Sequence, residues 1–404
     1  MSLSRILAAV LAAFPAVNAA LAEPAAILEL PVSGTDPDAI DFEALPKVSG
    51  TLAVVNPAKP SPDVKPGEKL EMNRLRLQLH NYLAWHDGRF WCLWSDGPRI
   101  EDWPTQEMKY ATSPDGLTWS AAKSIAGTPA EPYAWIARGL WVRDGELLAL
   151  GAHFKGHGAF GADKELTLQA FAWDSATDSW IPRGKVFDDA INNFPPQKLA
   201  SGDWILTRRD SRFNVTMLIG GRDRLDNWTA HPVVRVGEVA GFRPDEPIFW
   251  PMPDGTLNAL FRDNGGSQKL FHATSQDSGK SWSAPVLTNF PNATSKIFSL
   301  QTSRGYRVMI SNANRKWARR EIYLSVSEDG LRFTRMAKLA VPTPPVAPGI
   351  EDLWRKFAEG IGSLQYPHAI ERDGFLWIAL SRNKTQIEVF RVALGEVDAI
   401  RKQD

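Results

Sequence analysis

The chain has 404 residues and carries 46 Lys and Arg against 46 Asp and Glu, a formal net charge of zero. That balance excludes an electrostatic footprint for nucleic acid or for an anionic membrane surface. Hydrophobic residues make up 44%, enough for a full core, and Cys92 as the single cysteine excludes an intrachain disulfide. Stability therefore rests on packing.

Taken in chain order, residues 1–22 read as a secretory signal. Arg5 supplies the positive start, Ile6 to Val17 form a short apolar run, and Ala20-Leu21-Ala22 offers a small-x-small cleavage site before Glu23. The run is too short to span a bilayer, and no later segment reaches the required length. The expectation is an exported protein, secreted or periplasmic, with no membrane span. Residues 23–71 are rich in Pro, Asp and Ala and read as a largely irregular arm with one strand-like piece, Thr51 to Val55.

From residue 72 to 404 one pattern recurs: an apolar strand, a Gly-containing turn, a second apolar strand. The turns are Asp87-Gly88, Asp144-Gly145, Ser201-Gly202-Asp203, Asp254-Gly255, Arg304-Gly305 and Asp373-Gly374. Dipeptides of this kind between apolar runs are the hairpin signal. Their spacing of roughly 50 to 70 residues is a blade period and predicts an all-β, six-bladed β-propeller. The last unit shows about three strands, and Thr51 to Val55 is placed to complete it; seven blades fit if the arm supplies more than one strand. One short helical turn is expected around Glu351 to Phe357. The 16 Trp suit sugar stacking or repeated packing between sheets, and packing is expected for most. Cys92, inside Phe90-Trp91-Cys92-Leu93-Trp94, reads as a buried, inert thiol.

A second element recurs late in the units. Its copies are Ser113-Pro114-Asp115-Gly116-Leu117-Thr118-Trp119, Ser275-Gln276-Asp277-Ser278-Gly279-Lys280-Ser281-Trp282 and the weaker Ser327-Glu328-Asp329-Gly330-Leu331-Arg332-Phe333. Ser and Asp bond backbone within a tight turn, Gly permits positive φ, and the aromatic folds underneath. This resembles the Asp-box of the sialidase and BNR-repeat proteins, where it braces turns remote from the active site.

A propeller gathers its inner strands around one axis, so functional residues are expected to be scattered in sequence. Local motifs such as GxSxG, HExxH or a phosphate loop are absent, and the seven His are dispersed. His153 and His157 lack nearby Cys, so neither a metal nor any other cofactor is predicted.

The resemblance to sialidases implies particular residues. A Glu ahead of a hairpin and an Arg at its end match Glu246, in Asp245-Glu246-Pro247, and Arg262. A second Arg before the next Asp-box matches Arg319 or Arg320, which in a strand would face opposite ways. The nucleophilic Tyr matches Tyr366, in Gln365-Tyr366-Pro367-His368, with His368 a further binding candidate. The acid/base Asp matches Asp102, in Asp96-Gly97-Pro98-Arg99-Ile100-Glu101-Asp102-Trp103-Pro104. These types make chemical sense together. A phenol avoids the repulsion a carboxylate nucleophile meets beside a sugar carboxylate, Glu246 would accept its proton, and a buried Asp102 would protonate the leaving oxygen. Arginines grip the carboxylate with forked donors.

The chain departs from the family at the first blade. The Arg-Ile-Pro motif is replaced by Arg74-Leu75-Arg76-Leu77-Gln78-Leu79-His80-Asn81-Tyr82. Arg74 or Arg76 serves in its place, or His80 replaces the arginine. An exo-acting, sialidase-like hydrolase acting on an acidic glycan is the first expectation, and a monomer is expected. A uronate lyase on the same scaffold is the second, with His80, Tyr366, Arg262 and Tyr133 or His153 in its parts. A non-catalytic glycan-binding propeller is the third.

Overall fold

A computed structural model describes residues 25–65, 67–357 and 363–402; the signal segment lies outside the described residues. Six sheets form, each a meander of antiparallel strands in chain order. Blade one is built from Leu77–His86, Arg89–Gly97, Glu107–Ser113 and Lys123–Ser124, and blade two from Tyr133–Arg143, Glu146–Lys155, Thr167–Asp174 and Ser179–Asp188. Blade three has Gln197–Lys198, Trp204–Arg209, Val215–Gly220 and Trp228–Val234; blade four has Pro244–Pro251, Leu257–Asp263, Lys269–Ser275 and Val286–Pro291. Blade five comprises Phe298–Gln301, Arg307–Ser311, Tyr323–Ser327 and Arg335–Leu339, and blade six Leu364–Arg372, Phe375–Arg382 and Gln386–Ala393.

Thr51–Asn56 pairs antiparallel with Gln386–Ala393 as the outer strand of blade six. The arm supplies a second strand as well, but Lys47–Val48 adds in parallel to the edge of blade five rather than starting a seventh blade. The rest of the arm is bound, not loose. Asn289 accepts from the backbone of Ile27 and Leu28 at 3.0 and 2.9 Å and donates to Thr35 at 2.8 Å. Ile27, Leu28 and Leu30 are buried beside Phe290 and Phe333. The expected helical turn is Ile350–Phe357, and a second helix, Leu394–Arg401, packs Leu394, Val397 and Ile400 under blades five and six.

All six Gly-containing turns join the first and second strands of a blade. Asp87 and Gly88 have φ of 48° and 70°, and Asp144 and Gly145 of 49° and 90°, the two positive angles that a tight hairpin turn demands. Inner strands are buried along nearly their whole length, since each lies between two neighbouring blades, whereas Ser179–Asp188 is largely exposed. The Trp residues fill the gaps between blades. Trp91 of blade one lies 4.8 and 5.8 Å from Trp173 and Trp180 of blade two, edge to face, a geometry worth roughly 0.5–1.5 kcal/mol per pair beyond area burial. Cys92 is fully buried and burial pushes its thiol well up, so it stays protonated and inert.

The three Asp-boxes close as braces between the third and fourth strands. In blade four Ser275 donates to Asp277 at 2.8 Å, Asp277 accepts from Ser281 N at 2.8 Å, and the Trp282 indole donates to Gly279 O at 3.0 Å. Blade one repeats this with Ser113, Asp115 and Trp119. Blade three carries a degenerate version that the sequence pattern does not flag: the Trp228 indole donates to Leu225 O at 2.6 Å.

Candidate active site

Four innermost strands carry a register shift: between Leu79 and Tyr82, Ala137 and Gly139, Asp245 and Ile248, and Gln365 and His368. The displaced segments hold His80, Arg138, Glu246 and Tyr366. Three of these take positive φ, at 54° for His80, 43° for Glu246 and 56° for Tyr366, which is uncommon for non-glycine residues and strained for a bulky one inside a strand. A bulge re-aims a side chain, and here the four converge on one cavity of about 500 Å³ at the axis.

Asparagines lock the bulges from the neighbouring blade. Asn81 Nδ2 donates to Tyr366 O at 2.9 Å, Asn192 Nδ2 to Arg138 O at 2.7 Å, and Asn193 Nδ2 to the carbonyls of Glu246 and Pro247 at 2.9 and 3.0 Å. All three asparagines are buried. The strained backbone is thus held by the ring itself.

Five cations (Arg138, Arg209, Arg262, Arg319, Lys384) and four carboxyl groups (Glu101, Asp102, Asp245, Glu246) line the cavity. Arg262 Nη1 binds Glu246 Oε2 at 2.7 Å, Arg209 Nε binds Asp245 Oδ1 at 2.9 Å, and Lys384 Nζ binds Glu101 Oε2. Arg319 instead donates to Gln365 Oε1 at 2.7 Å and Thr294 O at 2.6 Å. Arg138 is buried and its Nε has no partner among the described residues. The cavity therefore presents guanidinium charge that no carboxylate neutralises, which suits an anion.

Asp102 rides on the loop between the second and third strands of blade one, with φ of 58°, its N–H bound to Gln106 Oε1 at 3.0 Å. Its Oδ1 is buried without a partner among the described residues. Burial first, then the neighbouring Glu101 charge, push its carboxyl up to about 7. With Asp102 protonated, the net charge of the lining rises from one positive to two. Burial works to raise Glu246, but Arg262 and Lys296 outweigh it and hold its carboxyl at about 2.

The Tyr366 hydroxyl lies 3.4 Å from Glu101 Oε1, and its ring meets His80 edge to face at 4.9 Å between centroids. His80 Nε2 sits 3.2 Å from the same Glu101 oxygen. Burial lowers the His80 pKa to about 4, so the imidazole is neutral near pH 7. Beneath the ring, Lys296 Nζ stands 5.5 Å from the Tyr366 centroid and donates to Tyr82 Oη at 3.0 Å and Asn193 O at 3.1 Å.

Tyr366, Glu246, Asp102, His80, Arg262 and Arg319 therefore meet in one hollow, and five other candidates and one alternative do not. Arg76 precedes the bulge and turns into a buried ion pair, its Nε 2.6 Å from Asp96 Oδ1. Arg74 is tied to Asp63 at 3.0 Å. Arg319 and Arg320 lie in a loop, not a strand, and Arg320 stacks its guanidinium 5.6 Å above Trp317 outside the cavity. Tyr133 donates to Glu165 at 2.9 Å and stacks on His153 over a separate shallow depression. His368, past the Tyr366 bulge, turns to the opposite side, where its Nδ1 accepts from Leu83 N at 3.0 Å. Glu101, Arg138, Arg209, Asp245 and Lys384 are lining residues that sequence reasoning does not select. Glu101 and Asp245 adjoin selected residues, but nothing local marks the other three.

A family model described as a BNR repeat-like domain matches residues 190–378. No curated protein matches the chain. Among solved structures, a protein of unknown function from Dyadobacter fermentans DSM 18053 superposes with a TM-score of 0.61 at 14% identity, covering 85% of this chain and 99% of that one. Trypanosoma rangeli sialidase in complex with sialic acid gives a TM-score of 0.61 at 14% identity over 88% of this chain and 61% of its own. The NanB sialidase from Streptococcus pneumoniae gives 0.59 at 11% identity, over 82% and 70%. The chain thus spans about three fifths of the trypanosomal enzyme's length. By fold it is a six-bladed β-propeller like that of these sialidases, and residues 190–378 carry the BNR repeat-like match.

Proposed function

We propose that the chain is an exported glycosidase acting at an acidic sugar. The observation that carries this reading is the meeting of a phenol, a carboxyl group with a pKa of about 7, and surplus guanidinium charge in one axial cavity. Arg262 and Arg319, with Arg138, take the sugar carboxylate. Tyr366, neutral in the resting site, attacks the anomeric carbon without the repulsion a carboxylate would meet. Asp102, protonated at neutral pH, delivers its proton to the leaving oxygen. A buried carboxylate takes the proton of Tyr366. Water then releases the sugar, activated by Asp102 in its basic form.

His80 stands where an arginine is otherwise expected, so the carboxylate is gripped from blades two, four and five instead of blade one. That shift supports acidic sugars broadly, uronates as well as sialic acids. An elimination with His80 as base fits less well. Glu101 Oε1, a carboxylate oxygen 3.2 Å from His80 Nε2, can only accept, and the imidazole is neutral, so Nδ1 bears no proton and accepts from Ser95 Oγ at 3.1 Å. Nε2 then carries the imidazole proton and donates to Glu101. A purely sugar-binding role leaves the strained Tyr366 and the raised Asp102 without a purpose.

The test is incubation with sialylated and uronate-bearing glycans, followed by mass measurement of the products. Release of a free acidic sugar is expected. An unsaturated, ultraviolet-absorbing uronate would establish elimination instead, and binding with no product would establish a lectin.

A further inference from the structure

We propose that Glu101, not Glu246, is the catalytic base that takes the Tyr366 proton, with His80 as its positioning residue. This rests on the glycosidase reading and assigns a residue that the resemblance does not supply.

Two ionised carboxylates lie near Tyr366, and their surroundings differ. Glu246 Oε2 is engaged by Arg262 at 2.7 Å, and a proton placed on Glu246 would dissolve the pair that orients the carboxylate-gripping guanidinium. Glu101 faces the phenol directly, with Oε1 3.4 Å from Tyr366 Oη. Its other oxygen, Oε2, is held by Lys384, which sits in the hairpin between the second and third strands of blade six, with φ of 57°. Oε1 is left for the Tyr366 and His80 protons. The Glu101 side chain keeps 28% exposure, and it lines the cavity.

The chain of donors has one direction. Ala137 N donates to Ser95 Oγ, Ser95 donates to His80 Nδ1, and His80 Nε2–H donates to Glu101 Oε1 at 3.2 Å. His80 is fully buried and its ring packs edge-on against Tyr366. It therefore fixes both the carboxylate and the phenol ring. Against burial, Lys384, which already pairs with Glu101, and His80 hold the Glu101 carboxyl well below the ordinary range; an arginine at this place would lower it further, whereas a neutral imidazole orients it without a second positive charge.

The step balances as follows. The Tyr366 O–H bond breaks and a Glu101 Oε1–H bond forms as the phenolate oxygen bonds to the anomeric carbon. The glycosidic bond breaks, and its oxygen takes the Asp102 proton. In the second half, Asp102 removes a proton from water, the water oxygen bonds to the anomeric carbon as the bond from that carbon to the Tyr366 oxygen breaks, and Glu101 returns its proton to the released phenolate. The groups facing this relay are Lys384, Asp102 and Glu246 with Arg138, Arg262, Arg319 and Lys296. Arg262 and Arg319 favour the phenolate, whereas Glu101 and Glu246 oppose it. Burial first, then those two carboxylates, raise the phenol well above its ordinary range, so a direct acceptor is needed.

The experiment reads covalent labelling of the full chain by 2,3-difluorosialic acid and by a fluorinated glucuronyl fluoride, followed by intact mass. The first reagent gives a covalent intermediate in the trypanosomal sialidase. Wild type is expected to label on Tyr366. E101Q should label about 10²-fold more slowly or worse, at a rate that climbs with pH where wild type is flat, and E101D should recover part of the rate. E246Q should need more reagent yet keep most of its rate at saturation. Thermal melting of each variant separates lost chemistry from lost folding, and H80Q serves as the second variant. Equal labelling of E101Q and wild type, or loss confined to E246Q, overturns the assignment of Glu101 alone. Wild type that neither labels nor cleaves any acidic glycan overturns the glycosidase reading and this assignment with it.

Discussion

Arg262 Nη1 and Glu246 Oε2 meet at 2.7 Å across neighbouring strands of blade four, with side-chain exposures of 13% and 11%. Removing one member leaves a buried charge alone. R262A is therefore expected to destabilise the fold by roughly 3–5 kcal/mol and to raise KM for any acidic sugar. Adding E246Q to R262A should recover most of the stability and none of the affinity. Urea unfolding and steady-state kinetics on both variants check this, and unchanged KM in R262A would remove Arg262 from the carboxylate grip.

Asp102 sets a pH limit. Its folded pKa of about 7 lies above the ordinary value of 3.8. Between those values the unfolded chain has lost the proton that the folded chain keeps, so this group makes stability fall as pH rises. Activity that needs the protonated acid falls through the same upper value. D102N is expected to lose most turnover on substrates with poor leaving groups and to melt higher than wild type at pH 8. A D102N variant that melts below wild type there would show that the carboxyl group is not held against burial.

The Asp-box of blade one is a brace with no part in the chemistry. Gly116 has φ of 72°, and a Cβ there would stand 2.4 Å from the Trp377 ring of blade six. G116A is expected to cost about 1–3 kcal/mol through overpacking with kcat and KM unchanged once folded. Calorimetry beside kinetics distinguishes the two, and a loss of kcat in the folded variant would contradict a purely structural turn.

Phe160 is half exposed at the cavity mouth, its ring 5.6 Å from that of Phe213. This pair is the apolar lip against which a leaving sugar or aglycone would lie. F160A is expected to raise KM roughly threefold to tenfold for extended substrates and to leave simple aryl glycosides unaffected. Equal effects on both substrate types would place the lip outside the leaving-group site.

The blade plan is legible along the chain because its signals are local. Three of the four Asp-Gly hairpin turns, Asp87-Gly88, Asp144-Gly145 and Asp373-Gly374, take two positive φ angles, and a Ser-x-Asp-x-Gly turn closes within eight residues, as in Asp277 with Ser275 and Ser281. Trp228 shows the limit: its indole makes the same closing bond where Gly221 and Leu225 replace the Ser and Gly that would advertise it. Tyr366, Glu246, Asp102 and Arg262 stand at positions that motif order alone indicates.

What the sequence by itself determined is the repeating hairpin, the Asp-box turns and the stock of chemical groups near them. Only ring closure decided which groups share a cavity. Arg138, Arg209 and Lys384 come from different blades with no local pattern to mark them, and Arg76 is lost to Asp96 because the bulge that re-aims His80 begins after it. A bulge reverses which face a side chain takes, and its position follows from the fit between neighbouring blades, not from the residues inside one strand.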